Sequence, residues 1–430
     1  MIKVDFTKER FQTNISPSFP SSKHSFVEEI VKRRPAMKTM NKRVFLIILD
    51  SVGVGASPDA ADFGDVGADT FGTCVRSGKL NVPNLEKLGI FSIDGTSFAK
   101  ESGQKIIGNF GKLLPDSLGK DTTVGHWELA GIISPKPMPT YPEGFPKEVI
   151  EAFEKATGRG TLCNLPYSGT DLLRDYGEEH VKTGKFIVYT SADSVFQVAA
   201  HEEVIPLEEL YEACHKARML LKGEHAVGRV IARPFVGTFP NFTRTVNRHD
   251  YSLEPPRETI LDCLQKNKLS TIGVGKIYDI FAGVGISESY PNEGNQKNMN
   301  KTIELVKKDF TGLCFVNLVD FDMMYGHRND VLGYVNALNA VDIQLGQLME
   351  ELREGDLLLI SADHGCDPGF PGTDHTREYA PCLCYGKGFK QGVNLGTRGS
   401  FADIAQTIAC HLGVKYDGDG DSFYSKLVAS

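Results

Sequence analysis

The sequence predicts an α/β fold: a mostly parallel sheet covered by helices on both faces, with a smaller α+β cap inserted into it. Three observations predict it. Continuous apolar runs of strand length, such as residues 44–49 and 357–360, read as strands buried on both faces. After residue 254 such runs alternate with helical patterns, the rhythm of a parallel α/β sheet. Between them, a central block that mixes strand and helix signals breaks the rhythm.

The first strand is expected over 43–50, ending in Asp50, with a loop over 51–55 and a short helix over 83–88. Residues 120–130 begin with Asp and Thr before a helical pattern, a helix-start signal. Pro135, Pro137, Pro139 and Pro142 then break regular structure and mark a boundary. The inserted cap is expected over 137–253, with strands at 186–189 and 227–232 and a helix near 207–221. Pro255 and Pro256 precede a helix over 257–266. The core, 40–136 and 254–430, resumes with strands at 270–274, 313–319, 356–361 and 380–385 and helices at 298–307, 334–352 and 401–412.

The chain has 430 residues and a net charge of −8, too long for one typical domain and too acidic for nucleic acid or an anionic membrane as the main partner. No apolar stretch approaches membrane-spanning length. The nine cysteines are scattered, with no C-x-x-C pair, so free thiols in a reducing cytoplasm are expected rather than a zinc finger or disulfide framework. Residues 1–39 are expected to be a basic, loosely ordered extension: up to Arg43, ten Lys/Arg stand against four Asp/Glu. They lack the apolar region of a secretory signal.

Three of the apolar runs end in acid: the first at Asp50, the run from Cys314 at Asp320 and Asp322, and the run from Leu357 at Asp363. Ligands of open α/β sheets bind at the carboxyl ends of strands, so these side chains are placed to converge. His327, His364 and His375 stand close by in sequence. Any one of these residues alone reads better as a turn former or a satisfied histidine. Together, three carboxylates and three imidazoles are enough for two divalent ions, with Mn or Zn favoured by the imidazoles. Such a pair serves in-line phosphoryl displacement. A hydroxyl within Asp121-Thr122-Thr123 would be the nucleophile, held where a helix N-terminus favours anions. On spacing alone a simple Thr N-cap is an equal reading.

The motifs L-D-S-V-G-x-G (49–55), K-D-T-T-x-G-H-W-E (120–128), N-L-V-D-F-D-x-x-x-G-H-R (317–328), A-D-H-G-x-D-P (362–368) and G-T-D-H-T-R-E (372–378) closely resemble the phosphopentomutase family of the alkaline phosphatase superfamily. The resemblance runs in order from about Asn41 to the C-terminus. It implies an alkaline-phosphatase-like core. Asp50, Asp363 and His364 would bind one metal, with Thr122 as its exchangeable ligand and phospho-accepting nucleophile. Asp322, His327 and His375 would bind the second. The family carries two Mn2+ ions and needs glucose 1,6-bisphosphate or a similar sugar bisphosphate as primer. It interconverts ribose 1-phosphate and ribose 5-phosphate, and the deoxyribose pair, through a 1,5-bisphosphate. Ser191, Asp193, Arg229, Arg244 and Lys276 would lie near this small sugar phosphate. The spacing Arg229/Arg233 repeats in Arg244/Arg248, so sequence alone separates the members of each pair poorly. The family commonly has Thr where this chain has Val124. A cofactor-independent phosphoglycerate mutase or a metal-dependent phosphatase is the alternative.

Overall fold

The computed structural model describes residues 42–191 and 193–428, so the expected extension lies outside the described residues. The described residues form two sheets. The larger takes β1 (Arg43–Leu49) and β2 (Asn109–Leu113) from the first segment of the chain. The smaller follows: β3 (Thr161–Pro166), β4 (Phe186–Thr190), β5 (Val195–His201), β6 (Arg229–Thr238), β7 (Asn241–Arg244) and β8 (His249–Ser252). The larger is then completed by β9 (Ser270–Val274), β10 (Glu288–Tyr290), β11 (Gly312–Leu318), β12 (Asp356–Ser361), β13 (Ala380–Tyr385) and β14 (Asn394–Arg398).

The order in the larger sheet is β10-β9-β11-β1-β12-β13-β2-β14. Every pairing is parallel except the two made by β13, which runs against both neighbours. All residues of β1, β11 and β12 are buried, as a sheet covered on both faces requires. Two groups of helices supply the cover. The helices Thr70–Arg76, Pro83–Leu88, Asn295–Val306 and Val331–Glu351 pack together, as do Thr122–Leu129, Ile260–Lys266 and Asp403–Leu412.

The three strands whose runs end in acid are therefore the adjacent trio β11-β1-β12, all parallel. Their carboxyl ends coincide, and Asp50, Asp322 and Asp363 follow within a few residues of those ends. At the opposite end of the trio, the buried Arg43 donates to Asp356 at 2.8 and 2.6 Å and to the carbonyls of Val306 and Lys308 at 2.8 and 2.6 Å. This fork fixes the register of β1 against β12.

In the smaller sheet β6 is longer than the expected strand and starts two residues later, while β3, β5, β7 and β8 had no separate expectation. One face packs Val188, Phe196, Val198, Val230 and Ala232 on the helices Lys147–Thr157 and Leu207–Leu220. The chain leaves the larger sheet after Ala130 and returns at Ile260, whose N–H donates to the Ala130 carbonyl at 3.0 Å. The helix expected from Arg257 begins at Ile260, because Thr259 and Asp262 form a capping box there. No helix among the described residues is long and apolar enough to cross a membrane.

Candidate active site

Asp50 follows β1 directly and is fully buried. Its Oδ2 accepts from Asn317 at 2.6 Å, and Asn317 itself lies within β11. Asp363 stands just beyond β12. Its Oδ1 accepts from the Ser51 N–H at 3.1 Å, and its Oδ2 lies 3.3 Å from His364 Nε2. His364 Nε2 is also 3.6 Å from Asp50 Oδ1 and 3.2 Å from the Thr122 hydroxyl. Asp50, Asp363 and His364 thus bring one donor atom each within 4.8 Å of one another.

Thr122 opens the helix Thr122–Leu129, and Asp121 caps it by accepting from the Val124 N–H at 3.0 Å. The helix can approach the strand end because residue 125 is glycine: a Cβ there would meet the Asp363 carbonyl oxygen at 2.2 Å. Val124 is fully buried, so its side chain faces the core and leaves the hydroxyl role to Thr122 or Thr123.

Asp322 lies in a π-helical turn, Phe321–Tyr325, a distortion that recurs at functional sites. Its two oxygens lie 3.2 Å from His327 Nε2 and 3.3 Å from His375 Nε2, and the two nitrogens are 3.2 Å apart. His327 Nδ1 is fixed by the Thr373 carbonyl at 2.6 Å. The His364 and His375 rings stack with centroids 4.0 Å apart, which joins the two groups into one site. Donor atoms of Asp322, His364 and His375 also come within 4.8 Å, as do those of Asp322, His327 and Cys366. Cys366 had no expected part in the site.

The electrostatics follow from burying many charges together. Burial pushes Asp50 well above the ordinary carboxylate range, and Asp363 and Asp322 push it further, while Asn317 and Lys276 oppose. Burial would raise Asp322 too, but the His375 charge and the close approach of both histidine rings hold it well below. Burial pushes His364 down to about 4. For His375 burial is outweighed by Asp322, and the ring is pushed up to about 10.

Several residues that sequence reasoning quoted without a role also build the site. His126 sits one helical turn after Thr122, donates from Nδ1 to the Thr122 carbonyl at 2.8 Å, and lies 3.0 Å from Asp363 Oδ2. Its Nε2 is 3.3 Å from the Asn317 amide nitrogen. Glu128 accepts from the N–H groups of Asp116, Ser117 and Phe401 and from the Ser400 hydroxyl, tying the far end of the helix to two loops. Arg377, nearly fully buried, pairs with Asp59 at 2.8 Å and donates to the carbonyls of Pro115, Ser117 and Gly119 just ahead of the helix. The i, i+4 spacing of Thr122 and His126 was the one signal available beforehand.

The cap residues divide. Arg229 lies 3.9 Å from Asp193 and 3.8 Å from Asp250, and its charge reaches Asp121 beside Thr122. Lys276 stands next to the core helix Ile277–Ile280 and its charge reaches Asp50. Ser191 follows β4 and is half-buried. Arg244 instead donates to the Tyr189 hydroxyl at 2.9 Å, among Arg233 and Arg248.

A model of the metalloenzyme superfamily matches residues 42–416. The phosphopentomutase of Lachnoclostridium phytofermentans is 54% identical over 387 residues, covering 90% of this chain and 99% of that protein. The phosphopentomutase of Carboxydothermus hydrogenoformans is 56% identical over 387 residues, again covering 90% and 99%. Among solved structures, Leishmania mexicana phosphoglycerate mutase is 12% identical and aligns with a TM-score of 0.43 over 90% of this chain and 98% of that one. The chain belongs to the phosphopentomutase family, within the metalloenzyme superfamily.

Proposed function

We propose that the chain interconverts ribose 1-phosphate and ribose 5-phosphate, and the 2-deoxyribose pair, by passing a phosphoryl group through Thr122. The phosphopentomutase relatives support the reaction. The observation that carries the choice of nucleophile is the Thr122 hydroxyl itself, 3.2 Å from His364 Nε2 at the start of a helix.

The residues fit a pair of divalent cations. Asp50 Oδ1, Asp363 Oδ2 and Asp322 Oδ1 are buried and accept no hydrogen bond among the described residues. A buried carboxylate oxygen left so is costly unless a cation meets it. Asp50, Asp363 and His364 would hold one ion, with the Thr122 oxygen as its exchangeable ligand. Asp322, His327 and His375 would hold the other. Mixed oxygen and imidazole donors suit Mn2+. When bound, such a pair supplies Lewis-acid charge that offsets the phosphoryl oxygens and favours an ionised hydroxyl.

The chain's own groups do the rest. The helix from Thr122 aims free N–H groups and the positive end of its dipole at the phosphoryl group. Phospho-Thr122 gives that group to the free hydroxyl of the bound monophosphate: the bond from phosphorus to Thr122 Oγ breaks, one to the sugar oxygen forms, and the sugar hydroxyl loses its proton. The 1,5-bisphosphate turns. Thr122 Oγ then attacks the other phosphorus, the bond from that phosphorus to the sugar breaks, and the phosphoenzyme is restored. Glucose 1,6-bisphosphate or a similar sugar bisphosphate would prime the cycle. Arg229, Arg244 and Lys276 would bind phosphate, and Ser191 and Asp193 the sugar hydroxyls. Residues 137–253 would act as a cap whose closure excludes water and favours transfer over hydrolysis. The nine free cysteines fit the reducing cytoplasm.

The test is direct. Purified protein with Mn2+ and primer should interconvert the two ribose phosphates, followed by phosphorus NMR. Absence of interconversion after priming overturns the reading, and steady release of inorganic phosphate without isomerised sugar would identify a phosphatase instead.

A further inference from the structure

The two ligand groups of the site share one buried anchor behind them. Ser51 follows Asp50 and is fully buried. Its φ of 70° lies in the left-handed region, which a residue with a Cβ adopts only when its surroundings hold it there. In that conformation its N–H donates to Asp363 Oδ1 at 3.1 Å, and its carbonyl accepts from the Cys366 N–H at 3.1 Å. The segment that carries Asp363 and His364 is therefore gripped on both flanks by one residue next to Asp50.

The Ser51 hydroxyl is the handle on that conformation. It lies 3.0 Å from the Tyr334 hydroxyl, and among the described residues each has the other as its one hydrogen-bond partner. Tyr334 is fully buried too, so parting the pair would leave two polar groups without water. Tyr334 stands in the first turn of the helix Val331–Glu351, and that turn is docked on the π-helical turn that carries Asp322. The Tyr334 ring packs on Phe321 with centroids 5.6 Å apart. The Asp330 N–H donates to the Tyr325 carbonyl at 3.1 Å, and the Asp330 side chain caps the helix by accepting from the Gly333 N–H at 2.8 Å. Residue 333 must be small, because a Cβ there would meet the Tyr325 ring at 2.4 Å. One side chain thus reaches both groups. Its hydroxyl leads through Ser51 to Asp50, Asp363 and His364, and its ring leads through Phe321 to Asp322.

We propose that Tyr334 is a positioning residue that sets the spacing of the two metal-binding groups, holding Ser51 through its hydroxyl and the Asp322 turn through its ring. The inference rests on the two-cation reading and deepens it. Metal sites depend on the groups that orient their ligands as well as on the ligands themselves. Backbone pairing fixes the ends of β1, β11 and β12 against one another. Asp322, however, lies four residues beyond the end of β11 in a distorted turn, so strand pairing alone does not place it. Transfer at Thr122 depends on that placement, since a misplacement of about 1 Å can cost about 100-fold in rate.

The test uses the full chain with Mn2+ as wild type, Tyr334→Phe, Ser51→Ala and the double variant. Calorimetric titration should find two Mn2+ per wild-type chain, and electron paramagnetic resonance should show the spin-coupled signal of a close pair. Each single variant should weaken Mn2+ binding about tenfold or more and alter the coupled signal. Its kcat for ribose 5-phosphate should fall by a similar factor, with KM little changed. Both substitutions break the same contact, so the double variant should lose no more than either single one. Ser51→Ala keeps the test open if Tyr334→Phe does not fold. A folded single variant with wild-type Mn2+ affinity and coupled signal, lowered only in melting temperature or not at all, overturns the positioning role. Additive losses in the double variant overturn it too. In either case a wild type that binds two Mn2+ and isomerises leaves the mutase reading standing. A wild type that binds no Mn2+ pair overturns the two-cation reading and this inference together.

Discussion

The Thr122 hydroxyl lies 3.2 Å from His364 Nε2, although 242 positions separate the two residues in sequence. The contact exists because the helix from Thr122 rests on the segment after β12, with Gly125 allowing the approach. Thr122→Ala should therefore lower interconversion by about 10^4-fold or more, while metal content stays near wild type. Thr122→Ser should retain measurable turnover. Phosphopeptide mapping after priming should find the phosphate at Thr122, and a mapped site elsewhere would reassign the nucleophile.

Chelation should remove activity and also lower the melting temperature. Asp50, Asp322 and Asp363 crowd one buried site, and burial together with its two neighbours drives Asp50 far from its ordinary ionisation. Ions that bind only the folded chain add about 2.7 kcal/mol at a hundredfold excess over Kd. Scanning calorimetry across a Mn2+ series should show a rising, concentration-dependent Tm. A Tm indifferent to both metal and chelator would argue that the carboxylate cluster holds no ion.

His126 touches the Thr122 carbonyl, Asp363 and Asn317 at once, so it acts as a positioning residue. His126→Ala should cost about 10- to 100-fold in metal affinity or kcat, the usual scale for a residue that orients ligands. His126→Asn, which restores a donor, should recover part of the loss. KM for the sugar phosphate should change little, which separates this role from substrate binding.

Acid should weaken the smaller sheet through His180. His180 Nδ1 donates to the Lys185 carbonyl at 2.5 Å and Nε2 accepts from the His201 N–H at 2.8 Å, so the fold requires the neutral ring. Burial lowers it from 6.5 to about 4. The unfolded chain then binds the extra proton in that interval. The stabilisation is complete above about pH 6.5 and is lost as pH falls to about 4, roughly 3 kcal/mol in all. Urea titrations of wild type and His180→Gln should diverge across this window, the variant showing the flatter profile.

The sheet ends were legible in the sequence because an apolar run closing on Asp is local information: Asp50, Asp322 and Asp363 could be named before any fold was seen. Their adjacency was not, since the order β11-β1-β12 is set by backbone pairing between distant segments. The smaller sheet was poorly legible for a different reason. Cys163 and Asn164 adopt positive φ and bulge β3, and β7 and β8 are four residues long with no fully buried residue, so their alternation carries little signal. Likewise Arg244 and Arg248 differ in partner, Tyr189 against Asp250, which spacing cannot express. His126 lay in plain view one turn after Thr122, but its meaning depends on Asp363.

The hydrogen bond from Ile260 to Ala130 has one more consequence. A segment that departs and returns at neighbouring points hangs on two parallel straps rather than one. Two straps would permit swinging about the line that joins them and resist twisting across it, so under the proposed closure a sugar would keep its heading relative to Thr122. They also make the segment separable in principle: a short linker from 131 to 259 would span only neighbouring anchor points. A trimmed chain of that kind would expose the metal-binding half as an object for engineering in its own right.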